Sequence, residues 1–239
     1  MRAKLISGLI ILGIVFWVYP EVMVRLSIYQ DFNSVKHNAL KGDANAQNEL
    51  AFIYEIGLGH VRENQEKAGE WYLKSAEQGH VDSQTSIGIF FEEGIGVQKS
   101  YSEALKWYRK SAEQGDGFGQ YLLGSMYEDG YGVDQNYSKA LEWYRNSAEQ
   151  DDSNGQYKLG FMYEQGLGVE QNYIEALKWY RKSADQDDSD GQYYLGRLYE
   201  LGKGVQKSPT EALMWYRKAA DNYHDDAEAK VQNLIGPAN

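Results

Sequence analysis

The residues able to do chemistry are few. The 239-residue chain holds four histidines, His37, His60, His80 and His224, and no cysteine. No two histidines stand three or four residues apart, the spacing that aims two imidazoles from one helix face at a metal. The missing cysteine removes thiolate zinc sites, thiol nucleophiles and disulfides together. No Ser-x-x-Lys occurs, so a serine–lysine acyl-transfer site has no starting point. The acidic run Asp185-Gln186-Asp187-Asp188-Ser189-Asp190-Gly191 has the composition of a calcium loop. Its register defeats that reading: set on Gly191, the first ligand position falls on Gln186 and the closing one on Arg197. Gly-x-Gly-Val runs (Gly94, Gly96, Val97; Gly130, Gly132, Val133) follow no strand pattern and lead into no Gly-Lys-Ser/Thr, so they do not cradle phosphate. Expected catalytic, cofactor and metal residues are therefore none. What recurs is one acid: Glu55, Glu92, Glu128, Glu164 and Glu200.

Those glutamates belong to a stretch written five times. Its cleanest copy is Gly117 to Asp152, and Trp71, Trp107, Trp143, Trp179 and Trp215 repeat every 36 residues, each followed by Tyr. Self-similarity of that length marks a helical solenoid. In the third copy a first helix (A) covers about 118–129, with Leu123, Met126 and Tyr127 on one face. Gly124 lies in that face and recurs as Gly88, Gly160 and Gly196, with Ala51 in the first copy. A repeated mid-helix glycine, which costs about 1 kcal/mol against Ala, implies close approach to the paired helix. The Gly-x-Gly loop ends helix A with positive φ, and its Val plugs the core. The second helix (B) starts at a capping residue, Asn64, Ser100, Asn136, Asn172 or Ser208. Glu103, Glu175 and Glu211 three residues later predict capping boxes. Ala104, Trp107, Tyr108, Ser111 and Ala112 form the apolar face of the second B helix.

Residues 1–43 read differently. Met1-Arg2-Ala3-Lys4 precedes a mostly apolar run from Leu5 to Val24, long enough to span a bilayer. It closes on Phe16, Trp17, Val18 and Tyr19 and not on a small-x-small cleavage site, so we expect an uncleaved anchor; a cleaved signal or a buried helix are the alternatives. Arg2 and Lys4 place the N-terminus inside and the repeats outside, in the periplasm of a bacterium. The expected organisation is 1–25 anchor or signal sequence, 26–43 an N-terminal capping helix with Val35, Ala39 and Leu40 buried, 44–224 five repeats, and 225–239 a C-terminal cap.

The spelling Leu159-Gly160, Tyr163, Gly166-x-Gly168-Val169, Ala176, Trp179-Tyr180, Ser183-Ala184 resembles the Sel1-like repeat family, relatives of the tetratricopeptide repeat. Two departures are the Gly119, Gly155 and Gly191 that stand where the family has Ala, and Asp151 and Asp187 in place of a closing Gly. The resemblance implies an all-α, right-handed solenoid of antiparallel helix pairs whose A helices line a concave groove. By that analogy the protein-binding groove residues are Phe52 and Glu55, Ile89 and Glu92, Tyr121, Ser125 and Glu128, Tyr157, Phe161 and Glu164, and Tyr193, Arg197 and Glu200. The glutamates form a ladder there, with variable large residues one turn away. Tyr121, Tyr157 and Tyr193 read equally well as packing residues, and the ladder also reads as a solvated face. On the groove reading, replacing Glu128, Glu164 and Glu200 by Lys together is expected to cost little helicity and to abolish capture of the partner.

The net charge is −11. It argues against nucleic acid, whose phosphates demand clustered Lys and Arg, and for a protein partner with a basic surface. No cofactor and no small-molecule substrate is expected. The function read from the sequence is a non-catalytic protein-binding scaffold on the outer side of a bacterial inner membrane. Family resemblance adds two roles, an immunity protein neutralising a secreted lipase-type toxin and an envelope regulator. The alternatives are a hydrolase of β-lactam or cell-wall substrates, an activity ascribed to Cys-rich relatives whose disulfides this chain lacks, and a cytoplasmic adaptor.

Overall fold

A computed structural model describes residues 32–58 and 61–236. The expected anchor at 5–24, His60 and the last three residues lie outside them. Among the described residues every regular element is helical. The chain divides into two compact units, 1–100 and 101–239.

In the first unit, α1 (32–40) precedes α2 (Ala44–Ile56), α3 (Gln65–Glu77) and α4 (Val81–Glu93). Val35 and Ala39 are buried in α1, four residues apart on one face. Leu40, expected beside them, is 66% exposed; one residue past Ala39 the helix has turned about 100° off that face. Val61 packs against the core of Val35, Ala39, Ala46, Leu50 and Ile53 as the expected plug.

In the second unit, α5 (Tyr101–Glu113), α6 (Gly117–Asp129), α7 (Tyr137–Glu149), α8 (Ser153–Gln165), α9 (Tyr173–Ala184), α10 (Ser189–Leu201) and α11 (Pro209–Asp221) lead to α12 (Ala227–Ile235). Pairs α6–α7, α8–α9 and α10–α11 pack antiparallel, and the A helices α6, α8 and α10 touch one another in series. Each pair is held by the same parts. The A helices start at Asp116, Asp152 and Asp188, whose carboxylates accept from Gly119, Gly155 and Gly191 N–H. They end at Gly130, Gly166 and Gly202 in the left-handed region. The second loop glycine is required by space: a Cβ on Gly132 or Gly168 would meet the carbonyl oxygen of Tyr101 or Tyr137 at 2.6 Å. Val205 plugs the core of Ala176, Tyr180, Ala184, Leu195, Leu198 and Trp215. The mid-helix glycines meet the expectation of close approach: a Cβ on Gly124 or Gly160 would lie 2.8 Å from the ring of Tyr144 or Tyr180.

Two sequence details gain physical reasons. The B helices cap through Asn64, Asn136, Asn172 and Ser208, but the reciprocal half of the capping box is not made. The N–H of Asn172 goes to the Tyr163 carbonyl and that of Ser208 to Tyr199 O. Glu175 turns instead to Lys178. The departure from Ala at Gly119, Gly155 and Gly191 follows from Ser111, Ser147 and Ser183, whose side chains occupy the place of a Cβ and bond Asp116, Asp152 and Asp188. Where the B helix carries Ala219, the matching A-helix position is Ala227, and both are fully buried.

A recurrent glutamine, overlooked in the sequence although it follows the same period, joins successive pairs. Gln120, Gln156 and Gln192 each donate to a carbonyl in the last turn of the preceding B helix, Ala112, Ala148 and Ala184, which also accepts a backbone N–H from the turn that follows. Gln47 and Gln84 do the same for Ala39 and Ala76.

Asp151, Asp187 and Tyr223 take positive φ where the earlier copies have Gly79 and Gly115. Tyr223 (φ 63°) is 93% exposed, so no contact offsets a conformation costing an L-residue roughly 1–2 kcal/mol. Tyr223→Gly is expected to stabilise the protein by about 1 kcal/mol in urea unfolding; an unchanged or lower midpoint would contradict this account.

Candidate protein-binding face

The site residues expected from the sequence lie on the A helices, and the glutamates among them turn toward the paired B helix. The structure gives the glutamate ladder a position that neither the groove reading nor the solvated-face reading foresaw. In the first unit Tyr72 Oη donates to Glu55 at 2.6 Å. In the second, Tyr144 Oη donates to Glu128 at 2.5 Å, Tyr180 to Glu164 at 2.8 Å and Tyr216 to Glu200 at 2.6 Å. These are the tyrosines of the Trp-Tyr pairs, and they are buried. A cation from the next A helix, or from α12, also meets each carboxylate: Lys158 shares Oε2 of Glu128 with Tyr144 (2.9 Å), Lys230 shares Oε2 of Glu200 with Tyr216 (2.9 Å), and Arg197 takes the second oxygen of Glu164, Oε1 (2.5 Å). Glu164 is only 2% exposed. Each glutamate of the second unit thus braces its own repeat to the next helix. Burial first, and then the facing Glu164, push the Tyr180 hydroxyl well above its usual range, which keeps it a donor. The triple change to Lys would set ammonium groups against Lys158, Arg197 and Lys230, so helicity would fall and not survive.

The cation reaches its glutamate from two different positions. In α8 it is Lys158, with aromatic Phe161 one turn later; in α10 aromatic Tyr194 comes first and Arg197 one turn later. Lys158 Nζ lies 5.7 Å from the Tyr157 ring centre and Arg197 4.7 Å from that of Tyr194. Tyr194 stacks on both Tyr157 and Tyr180. It was not singled out in the sequence, although it interrupts the pattern of Leu122 and Lys158 at its position.

Burial lifts the Glu200 carboxyl, but the Tyr216 hydroxyl and Lys230 outweigh it and hold Glu200 below its usual 4.5. A lowered folded value contributes stability above the unfolded value and loses it as pH falls through the folded one. Lys230→Met is therefore expected to lower the melting temperature at pH 7, with the gap to the parent protein closing as pH falls from 5 toward 3. A gap constant across that window would show that Lys230 acts by packing alone.

The remaining predicted residues lie on the A helices of each unit. Phe52 is 50% exposed on α2, and Ile89 and Glu92 are half-buried on α4. In the second unit Tyr121, Ser125, Tyr157, Phe161, Tyr193 and Arg197 are all half-buried. Tyr121 stacks on Phe118 and tilts against Tyr144. Tyr193 stacks on His224, whose Nε2 lies 3.5 Å from Asp190. Leu201, a groove neighbour from the sequence, is 51% exposed. His80 accepts through Nδ1 as the N-cap of α4. Among the described residues no group of three or more His, Cys, Asp or Glu could hold a metal ion. A cleft of about 750 Å³ lies over α9 and α11. Its Ser208 is occupied as a cap and its Arg181 donates to Tyr199, so these groups serve the helices around it.

The fold defines the class: an α-solenoid of helix–turn–helix repeats. The chain belongs to the Sel1 repeat family, whose pattern matches residues 44–80, 81–116, 117–152, 153–188 and 189–224. It is similar to a Sel1 repeat protein from Oxalobacter formigenes, at 32% identity and TM-score 0.80, over 90% of this chain and 87% of that one. An immunity protein from Pseudomonas aeruginosa shares the fold at 22% identity and TM-score 0.55, over 77% and 66% of the two chains. A further relative is an ERAD-associated E3 ubiquitin-protein ligase component of Arabidopsis thaliana, 33% identical over 67 residues. That match covers 28% of this chain and spans about a tenth of that relative. Sel1 repeats mediate protein–protein interaction, and this chain is a scaffold of that kind.

Proposed function

We propose that this protein is a non-catalytic scaffold that holds another protein on its A-helix face, on the outer side of a bacterial inner membrane to which residues 5–24 anchor it. One observation carries binding. The residues that the copies share are consumed internally, glutamate on tyrosine, glycine under tyrosine and glutamine on the preceding helix, while copy-specific Phe52 and Leu201 stand half in solvent. A soluble helix pair has no folding reason to expose them, whereas an interface uses such anchors. The net charge of −11 favours a partner with a basic surface. Among the described residues no helix is long and apolar enough to cross a membrane, and the segment proposed as anchor lies before them.

Neutralisation of a secreted, lipase-type toxin is the role favoured here, on the compact acidic chain and the fold shared with an immunity protein; regulation in the envelope is the other. The test is to fuse alkaline phosphatase after residue 239 and to recover tagged full-length protein with whatever it holds. Active fusion and a stoichiometric partner whose toxicity it suppresses support the reading. A partner without toxicity points to regulation. An inactive fusion removes the membrane placement, and turnover of a nitrocefin or peptidoglycan probe removes the non-catalytic reading.

A further inference from the structure

Among the described residues, α1 is the one helix without an acid. Residues 32–42, the helix and the turn after it, hold Lys36 and Lys41 and neither Asp nor Glu, in a chain of net charge −11. Val35 and Ala39 bury one side of α1 against the core of the first unit. The opposite side sets Lys36, His37, Leu40 and Lys41 in a band about 140° wide. All four are exposed, Leu40 to 66%. Lys36 Nζ lies 5.9 Å from the ring centre of Phe32. Among the described residues neither Lys36 nor Lys41 pairs with a carboxylate, whereas Lys158, Arg197 and Lys230 each meet one. The place of α1 in the chain indicates what lies opposite this band. Val24, which ends the apolar run, stands eight residues before Phe32. The chain between them can reach at most about 28 Å, so α1 starts within that distance of any bilayer that residues 5–24 enter.

The geometry points to the anionic lipid surface of that bilayer as the occupant of the exposed face of α1. Leu40 enters the headgroup layer. Lys36 and Lys41 flank it, their methylene stems along the apolar boundary and their ammonium groups on the lipid phosphates. Two exposed cations without a carboxylate complement such a surface, and the short tether keeps the surface at high effective concentration, so a small contact suffices.

This inference rests on the membrane placement proposed above and adds how the first unit meets the bilayer. The chain has no cysteine, so Leu40→Cys takes a single nitrobenzoxadiazole label. The labelled full chain is reconstituted into vesicles of phosphatidylcholine, alone or with phosphatidylglycerol, and brominated lipid serves as quencher. With phosphatidylglycerol present we expect blue-shifted emission and about two-fold quenching, as for a residue in the headgroup layer. Vesicles of phosphatidylcholine alone should quench less, and high salt should reverse the difference. Lys36→Glu with Lys41→Glu is expected to lower the docked fraction about ten-fold, since each lysine near an anionic surface adds several-fold to partition. Its far-ultraviolet spectrum should not change, because both side chains are exposed. Emission as in water, or quenching untouched by the two glutamates, overturns the lipid face. A shift that follows protein density and not phosphatidylglycerol puts a second copy on α1 and overturns it as well. Alkaline carbonate reads the anchor separately. Chain that stays with the vesicles while its label emits as in water leaves the membrane placement standing and overturns only the lipid face. Chain that comes away removes the tether and both readings with it.

Discussion

Arg197→Phe is expected to destabilise the protein by about 3 kcal/mol, and adding Tyr194→Lys to restore at least half of that loss. The single change deletes the one cation that meets Glu164 among the described residues and leaves a carboxylate that is 2% exposed with Tyr180 as its remaining side-chain partner there. An uncompensated buried charge costs roughly 3–5 kcal/mol when its partner is removed. The low end applies because the Tyr180 bond remains. The second change writes the α8 arrangement into α10: Lys at 194 stands where Lys158 and Lys230 stand in their helices, and Phe at 197 where Phe161 stands. Restoration is partial because Tyr194 gives up its stacking on Tyr157 and Tyr180. Urea unfolding followed by circular dichroism reads both. Because repeats unfold with their neighbours, hydrogen exchange of α10 should confirm where stability is lost. A loss below about 0.5 kcal/mol would make the pair a surface contact. A double variant no better than the single would show that the cation's position, and not its presence, matters.

Gly160→Ala is expected to cost about 1 kcal/mol, although alanine is the better helix former. Two effects compete at this position. Propensity favours alanine by roughly 1 kcal/mol in a helix interior. Against it, the new methyl would sit 2.8 Å from the Tyr180 ring, closer than any real contact. Overpacking a closed core costs roughly 1–3 kcal/mol, and here the ring cannot step aside, being fully buried and tied by its hydroxyl to Glu164. Gly196→Ala should cost less, since its methyl would lie 3.0 Å from the Tyr216 ring. Melting temperatures of the two variants, run together, test both the sign and the order. A rise in either would mean that helix propensity and not the packed tyrosine governs these glycines.

The repeats themselves were legible because their causes are local. A period of 36 residues, glycines where the chain must turn back, and the capping residues Asn64, Asn136, Asn172 and Ser208 act within a few residues of where they stand. The close approach at Gly160 could also be foreseen, since a glycine repeated inside a helix has few other reasons to be there.

The role of the glutamates could not be read that way. From the sequence they form a row of acids on a helix, and a row of acids is a solvated face or a binding surface. Only tertiary packing brings Tyr180 from the paired helix, and Arg197 from the next repeat, to the two oxygens of Glu164. These partners stand 16 and 33 residues away, and no periodicity distinguishes a carboxylate that meets them from one that meets water. The same packing decided that Leu40 lies outside, that Tyr194 belongs to the aromatic network, and that Asp190 keeps an exposed carboxylate where Asp152 and Asp188 spend theirs on capping. Helix pairs and turns follow from backbone propensity and spacing along the chain. Which acid braces a neighbouring repeat and which meets solvent depends on side chains meeting across repeats, and the fold alone arranges those meetings.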